Sequence, residues 1–196
     1  MTRRLAFAAL IVLVCTGLAA RANAASFVLN AVMNGPSEAP PNASPGTGFA
    51  VVVYNDVLHT LQIDAEFQGL IGTTTASHIH CCTAVPLTGT AGVATTTPSF
   101  VGFPLGVTSG VFHTLLDLTL ASAWNPAFVT ASGGIAASEA RLAAGFFTGT
   151  TYFNIHTSTF GGGEIRGFLV TPEPATLVLL GLGLAGVAAR LRKKRI

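Results

Sequence analysis

Residues 60–67 decide the fold class, and they read Thr60-Leu61-Gln62-Ile63-Asp64-Ala65-Glu66-Phe67. Four apolar side chains alternate here with four polar ones. Side chains of a β-strand point to opposite faces of the sheet with a period of two. The stretch therefore predicts a strand that buries Leu61, Ile63, Ala65 and Phe67 in a core and turns its polar residues outward.

Short runs of the same kind recur on both sides of this strand. Alternating or β-branched residues predict further strands within residues 27–33, 49–54, 111–120, 151–156 and 165–170. One helix is predicted over residues 135–144, with Gly145 as its stop. Many short strands with Gly-rich turns predict an all-β fold, an antiparallel β-sandwich of Greek-key-like topology with one short helix.

The N-terminal residues have the composition of an export signal. Arg3-Arg4 precedes an apolar stretch over residues 5–20, and Ala22-Asn23-Ala24 follows as a small-residue cleavage site. This order is typical of a secretory signal peptide. We expect residues 1–24 to be removed and the mature chain to begin at Ala25.

The C-terminal residues form a second tag. Pro172-Glu173-Pro174 precedes an apolar run over residues 175–189, and five Lys or Arg residues follow within residues 190–195. The run is near the short limit for a membrane-spanning helix, and the basic cluster holds its end on the cytoplasmic side. The arrangement resembles the bacterial PEP-CTERM sorting signal. That resemblance implies recognition by an exosortase-type enzyme, cleavage near the Pro-Glu-Pro, and release or transfer to the cell surface. The alternative is a plain C-terminal membrane anchor.

Charge separates the two tags from the centre of the chain. The whole sequence carries a net charge of +2, but residues 25–170 contain two basic and seven acidic residues, a balance of −5. An acidic domain has no electrostatic basis for binding nucleic acid. The predicted organisation is a signal peptide over residues 1–24, one β domain over residues 25–170, and a sorting signal with a hydrophobic helix over residues 171–196.

Six short segments of the central region resemble the CHRD domain, first named in chordin and common in exported bacterial proteins. They are Ser37-Glu38-Ala39-Pro40-Pro41, Gly46-Thr47-Gly48, Gly69-Leu70, Ala76-Ser77-His78-Ile79-His80, Tyr152-Phe153-Asn154-Ile155-His156-Thr157 and Gly162-Gly163-Glu164-Ile165-Arg166-Gly167. The resemblance implies an all-β domain outside the cytoplasm and no generally assigned reaction. This chain departs from the family pattern at Cys81-Cys82-Thr83, where a Gly-containing turn is usual.

Three histidines are the candidate metal ligands. If residues 77–80 form a strand, His78 and His80 share one face, and His156 can join them from another strand. Three imidazole nitrogens suit zinc or copper. Glu164 or a Cys81 thiolate could complete the set.

A structural network is the alternative for the same residues. In this interpretation the histidines pin strands by hydrogen bonding to backbone or to Glu164, and Glu164 pairs with Arg166 or Arg141. Both interpretations predict that His78, His80, His156, Glu164 and Arg166 cluster in space.

Cys81 and Cys82 are the two cysteines left after signal cleavage, and export places them in an oxidising compartment. A bond between adjacent residues would be strained, because their Cα atoms lie only about 3.8 Å apart. Free thiols or an intermolecular bridge are the alternatives. Continued alternation along the strand would place Cys82 on the histidine face and Cys81 on the opposite face.

The leading functional hypothesis is a non-enzymatic structural or binding module. It would cross the inner membrane, be anchored there transiently, and then reach the outer surface or the extracellular matrix, with exopolysaccharide as a possible partner. The alternative is a copper or zinc domain, including a superoxide-dismutase-like redox enzyme, that uses His78, His80 and His156. None of the common hydrolase, phosphate-loop or dinucleotide motifs is present.

Overall fold

A computed structural model of the chain describes residues 26–172. The elements in this part are β1 (Phe27–Asn34), β2 (Thr47–Asn55), β3 (Thr60–Gln68), β4 (Thr74–Cys81), β5 (Gly110–Asp117), α1 (Pro126–Ser132), α2 (Ile135–Thr148), β6 (Thr151–Thr157) and β7 (Ile165–Phe168). The predicted signal peptide and C-terminal hydrophobic helix lie outside the described residues. Within residues 26–172, no helix is both long and apolar enough to cross a membrane.

The seven strands form one curled antiparallel sheet in the order β4-β6-β7-β1-β2-β3-β5. β1, β2 and β3 follow one another as a meander. The chain then crosses to the far edge of the sheet, where β4 pairs with β6, and returns to place β5 beside β3. The predicted all-β antiparallel class is confirmed.

The core lies on the inner face of the curled sheet. The four apolar residues of β3 that the sequence predicts to be buried are at most 7% exposed. Phe100, from the long connection between β4 and β5, stacks on Phe112 of β5 at 5.7 Å and on Phe153 of β6 at 5.9 Å. These aromatic contacts join the two ends of the sheet across the interior.

Two α-helices are present among the described residues, where the sequence predicted one. The additional helix, α1, has ordinary boundary signals, because the Asn125 side chain accepts the N–H of Ala127, Pro126 starts the helix, and Gly133 ends it at φ 92°. These signals were present in the sequence and predict a short helix.

Gly145 does not stop α2, which continues to Thr148 and ends at Gly149 with φ 65°. A Cβ on Gly145 would lie 2.7 Å from Cγ2 of Thr151 and 2.9 Å from Sγ of Cys81. Gly145 therefore serves the close approach of α2 to the sheet, and the left-handed residue that ends the helix is Gly149.

Candidate metal centre

Two neighbouring strands bring the three histidines together on the outer face of the sheet. In β4, His78 and His80 alternate with Ile79, which is fully buried in the core. In the antiparallel pairing with β6, His156 lies opposite Ala76. His78 and His80 are 6% and 8% exposed, so loops cover this outer face as well.

Each histidine ring is held by one backbone carbonyl of a covering loop. The nitrogen–oxygen distances are 2.5 Å for His78 Nε2, 2.9 Å for His80 Nδ1 and 2.9 Å for His156 Nδ1, to the carbonyls of Pro98, Ala91 and Gly161 respectively. A carbonyl oxygen can only accept, so the contacting nitrogen carries the proton. The opposite nitrogen of each neutral ring then presents a lone pair.

The three remaining nitrogens converge. They are His78 Nδ1, His80 Nε2 and His156 Nε2; all are buried and have no hydrogen-bond partner among the described residues. One nitrogen from each of the three side chains, as a possible metal ligand, lies within 4.8 Å of the other two. A buried polar atom without a hydrogen-bond partner lowers the stability of the folded state. Three such nitrogens close together therefore need a physical explanation.

The rings are neutral at neutral pH. Burial lowers the pKa of all three histidines, and for His80 the pKa falls to about 4. The other two histidines and Arg166 lower the pKa of His80 further, while the hydrogen bond to Ala91 opposes the shift. Three neutral imidazoles with fixed tautomers are the protonation state in which a metal ion can bind.

A second layer of side chains supports His80. Its ring stacks on Tyr152 with centres 4.7 Å apart and planes 8° from parallel. The Arg166 guanidinium lies 4.7 Å from the Tyr152 ring centre on β6 and donates to the backbone carbonyl of Ser37. Arg166 also lies 3.8 Å from the Glu38 carboxylate, to which the Asn154 amide donates at 2.7 Å.

Glu164 does not join the histidines, and the predicted five-residue cluster is wrong on this point. Its carboxylate accepts hydrogen bonds from the hydroxyls of Ser44 and Thr157 and from the backbone N–H groups of Ile71 and Gly72. Burial raises the pKa of Glu164, but these hydrogen bonds outweigh it and hold the pKa below its ordinary value. Glu164 is therefore a buried anchor for two loops and pairs with neither Arg166 nor Arg141.

The cysteines also lie away from the site. Cys81 and Cys82 are joined by a disulfide, and both sulfurs pack against α2 at Gly145. β4 ends at Cys81, so alternation does not extend to Cys82, and its predicted place on the histidine face is wrong. A Cys81 thiolate cannot complete the histidine set, since its sulfur is bonded to Cys82 on the opposite side of the sheet.

The other described histidines have different partners. His59 Nδ1 lies 3.0 Å from the Glu139 carboxylate, and His113 Nδ1 lies 2.5 Å from Asp64. Both rings are exposed by half or more, as expected for residues outside the cluster.

A family model described as the CHRD domain matches residues 29–169, which is nearly all of the described chain. The chain belongs to the CHRD family. A second family model, the PEP-CTERM protein-sorting motif, matches residues 170–193. The CHRD protein is therefore marked for export, exosortase-type processing and sorting to the cell envelope or surface. No curated protein matches the chain. No solved structure matches it either.

The sequence of the CHRD domain placed the histidines on one face but did not identify the residues that support them. Tyr152, Asn154 and His156 are every second residue of β6 and share one face, so period-two spacing alone could have placed Tyr152 and Asn154 beside the histidines. The carbonyls of Pro98, Ala91 and Gly161 had no such signal, because any residue type supplies a backbone oxygen.

Proposed function

We propose that the CHRD domain is an exported binding module that holds one transition-metal ion, zinc or copper, on His78, His80 and His156. The observation that carries the proposal is the convergence of three buried, unprotonated ring nitrogens without partners among the described residues. Zinc and copper are the common ions for an all-imidazole set.

The second nitrogen of each ring supports this assignment. Metal-binding histidines commonly donate their other N–H to a carbonyl or carboxylate, which fixes the tautomer and the ring orientation. Each of the three rings donates to a carbonyl in this way. A purely structural network would account for these three bonds, but it leaves the three opposite nitrogens without a role.

Metal content of the exported protein tests the proposal. The protein, purified from the envelope or medium of producing cells, is stripped with a chelator and reloaded with zinc or copper. We expect one ion per chain by elemental analysis and a higher melting temperature with metal, because an ion that binds only the folded state stabilises it.

Matched variants decide whether these three side chains hold the ion. His156→Gln removes a proposed ligand and keeps an amide that can donate to the Gly161 carbonyl. His113→Gln alters an exposed histidine of β5 that lies beside Asp64. We expect the first variant to lose the ion and the second to keep it. Equal metal content in both variants, or none in the wild type, would refute the site.

Catalysis is the alternative use of the same three histidines. A redox enzyme of superoxide-dismutase type would need copper at the site and would turn over superoxide. Turnover by the copper-loaded protein, lost in His156→Gln and retained in His113→Gln, would favour the enzyme. A loaded protein without turnover would favour the binding module.

We further propose that the apolar run over residues 175–189 anchors the protein in the inner membrane until an exosortase-type enzyme cleaves near Pro172-Glu173-Pro174, and that the released domain enters an exopolysaccharide matrix. The order of motif, apolar run and basic cluster supports this sequence of events. Intact-mass measurement of the native protein is the test. A main species that still carries residues 190–196 would instead indicate a permanent anchor.

A further inference from the structure

The spacing of the three rings constrains where an ion can lie. Their centres are 5.2, 5.7 and 6.0 Å apart, and the circle through these three points has a radius of about 3.3 Å. A metal–nitrogen bond of about 2.0–2.1 Å plus the half-width of an imidazole places a ring centre about 3.2 Å from a bound ion. An ion equidistant from the three rings therefore lies almost in the plane of their centres.

This position differs from the one that a tetrahedral ion requires. Three ligands of a tetrahedral site lie on one side of the metal, which brings the ring centres to about 5.2 Å from one another. The His78–His156 pair has that spacing, but the two pairs that include His80 are wider. The His80 ring is held by its stack on Tyr152 and its hydrogen bond to the Ala91 carbonyl. Moving this ring toward the other two would therefore disturb both contacts.

No fourth donor joins the three histidines in the described part of the chain. The cluster of metal-ligating side chains at this point consists of His78, His80 and His156. Glu164 is turned toward the loops at Ser44 and Gly72, and the two sulfurs are bonded to each other against α2. The protein thus offers three ring nitrogens, and the spacing of the three ring centres suits a trigonal arrangement around one ion.

The charge around the site favours a monovalent ion. Three neutral rings bring no negative charge, and the Arg166 guanidinium lies 4.7 Å from the centre of the Tyr152 ring on which His80 stacks. The Glu38 carboxyl faces Arg166, but burial raises its pKa to about 7, so its negative charge is incomplete at neutral pH. Repulsion from Arg166 is twice as large for a divalent ion as for a monovalent one at the same distance.

We infer that the site selects copper(I) as a three-coordinate ion bound by His78 Nδ1, His80 Nε2 and His156 Nε2. This inference rests on the proposed transition-metal function and specifies the ion and its geometry. Copper(II) favours tetragonal coordination with more ligands, and structural zinc favours four in a tetrahedron. Zinc bound by three histidines completes its tetrahedron with water, and the wide spacing of the two ring pairs that include His80 does not match that tetrahedron. A trigonal set of neutral nitrogens suits monovalent copper.

Copper X-ray absorption and affinity measurements on the exported protein provide the test. Copper is loaded without oxygen and with ascorbate as the reductant, which leaves the disulfide intact. We expect three nitrogen donors at about 2.0 Å around copper(I). In chelator competitions we expect copper(I) to bind at least about tenfold more tightly than copper(II).

The outcomes separate this inference from the proposal on which it rests. Four donors around reduced copper, or tighter binding of copper(II), would overturn the copper(I) assignment and leave a metal site in place. No binding of zinc or of either copper ion would overturn both. In a His156→Gln variant shown to be folded by circular dichroism, copper(I) affinity should fall at least about a hundredfold, and an unchanged affinity would remove His156 from the site.

Discussion

The two ends of the sheet are built differently. At the β2–β3–β5 end one face packs on the core and the other meets solvent, so Val111 and Leu115 on the outer face are 78% and 62% exposed. At the β4–β6–β7 end loops cover the outer face too, and polar side chains such as Asn154 and Arg166 are only 2% and 4% exposed. Polar groups at the covered end must therefore find partners inside the protein.

This difference predicts where substitutions matter. At the β2–β3–β5 end, the alternation of apolar and polar residues alone determines which side chains are buried. Residues on the outer face there tolerate replacement, because solvent can hydrogen-bond to any polar group placed there. At the covered end each buried polar group has specific partners, so removal of one group leaves others unsatisfied. The following tests alter residues at the covered end, and two of them use an exposed residue as the control.

Glu164→Ala should have the largest effect. The substitution leaves two hydroxyls and two backbone N–H groups without their acceptor in a fully buried place. We expect the free energy of unfolding to fall by about 3–5 kcal/mol, measured by urea denaturation. Glu66→Ala, an exposed residue of β3, should change it by less than about 0.5 kcal/mol. Similar losses for both variants would contradict the distinction between the two ends.

Gly167→Ala should have an intermediate effect. A Cβ at this position of β7 would lie 2.7 Å from the carbonyl carbon of Val32 on β1, and closer still to its oxygen. Backbone cannot move aside as a flexible side chain can, so β7 must shift away from β1. We expect a loss of about 1–3 kcal/mol in thermal or urea unfolding.

Gly162→Ala is the control for this substitution, since nothing lies within 4 Å of the added Cβ. It should leave stability nearly unchanged. If Gly167→Ala were equally neutral, the close contact between β7 and β1 would not constrain the sheet.

Glu38→Gln should have the smallest effect, visible as a pH dependence. Burial raises the pKa of Glu38 from 4.5 to about 7, while Arg166 and the Asn154 amide oppose the shift. Between these two values the folded protein keeps a proton that the unfolded chain loses, so this carboxyl lowers stability as pH rises from 4.5 to 7. The variant cannot ionise and should gain stability relative to wild type across that window.

Urea denaturation of both proteins at several pH values measures this difference, and the comparison cancels the contributions of histidines that titrate in the same range. The ionised form regains part of the loss by pairing with Arg166 at 3.8 Å, which limits the effect. Parallel stability curves for the two proteins would show that Glu38 ionises normally.

The sequence was a reliable guide inside strands and an unreliable one at their ends. Period-two spacing correctly predicted that Leu61 and Phe67 are buried and that His78 and His80 share one face. The same spacing suggests that Glu164 and Arg166 share a face, but β7 begins at Ile165 and Glu164 belongs to the preceding turn.

Cys82 illustrates the same limit, because β4 ends one residue before it. The loop carbonyls that orient the histidine rings lie beyond any spacing argument. Pro98 and Ala91 reach their rings through the path of the long β4–β5 connection, and that path depends on the buried anchors Phe100 and Thr95. Such tertiary placement is not encoded in local periodicity.

The backbone pairing between Asn30 and Val170 sets the length of the tether in the proposed anchored state. Four residues separate Val170 from the start of the apolar run at Ala175, a reach of at most about 18 Å when extended. An anchored domain would therefore rest against the bilayer surface, with little freedom to swing away from it. Val170, the last paired residue, precedes the Pro-Glu-Pro. Cleavage at that motif would therefore separate the domain from its anchor without breaking any pairing between strands, and the domain would leave the membrane already folded.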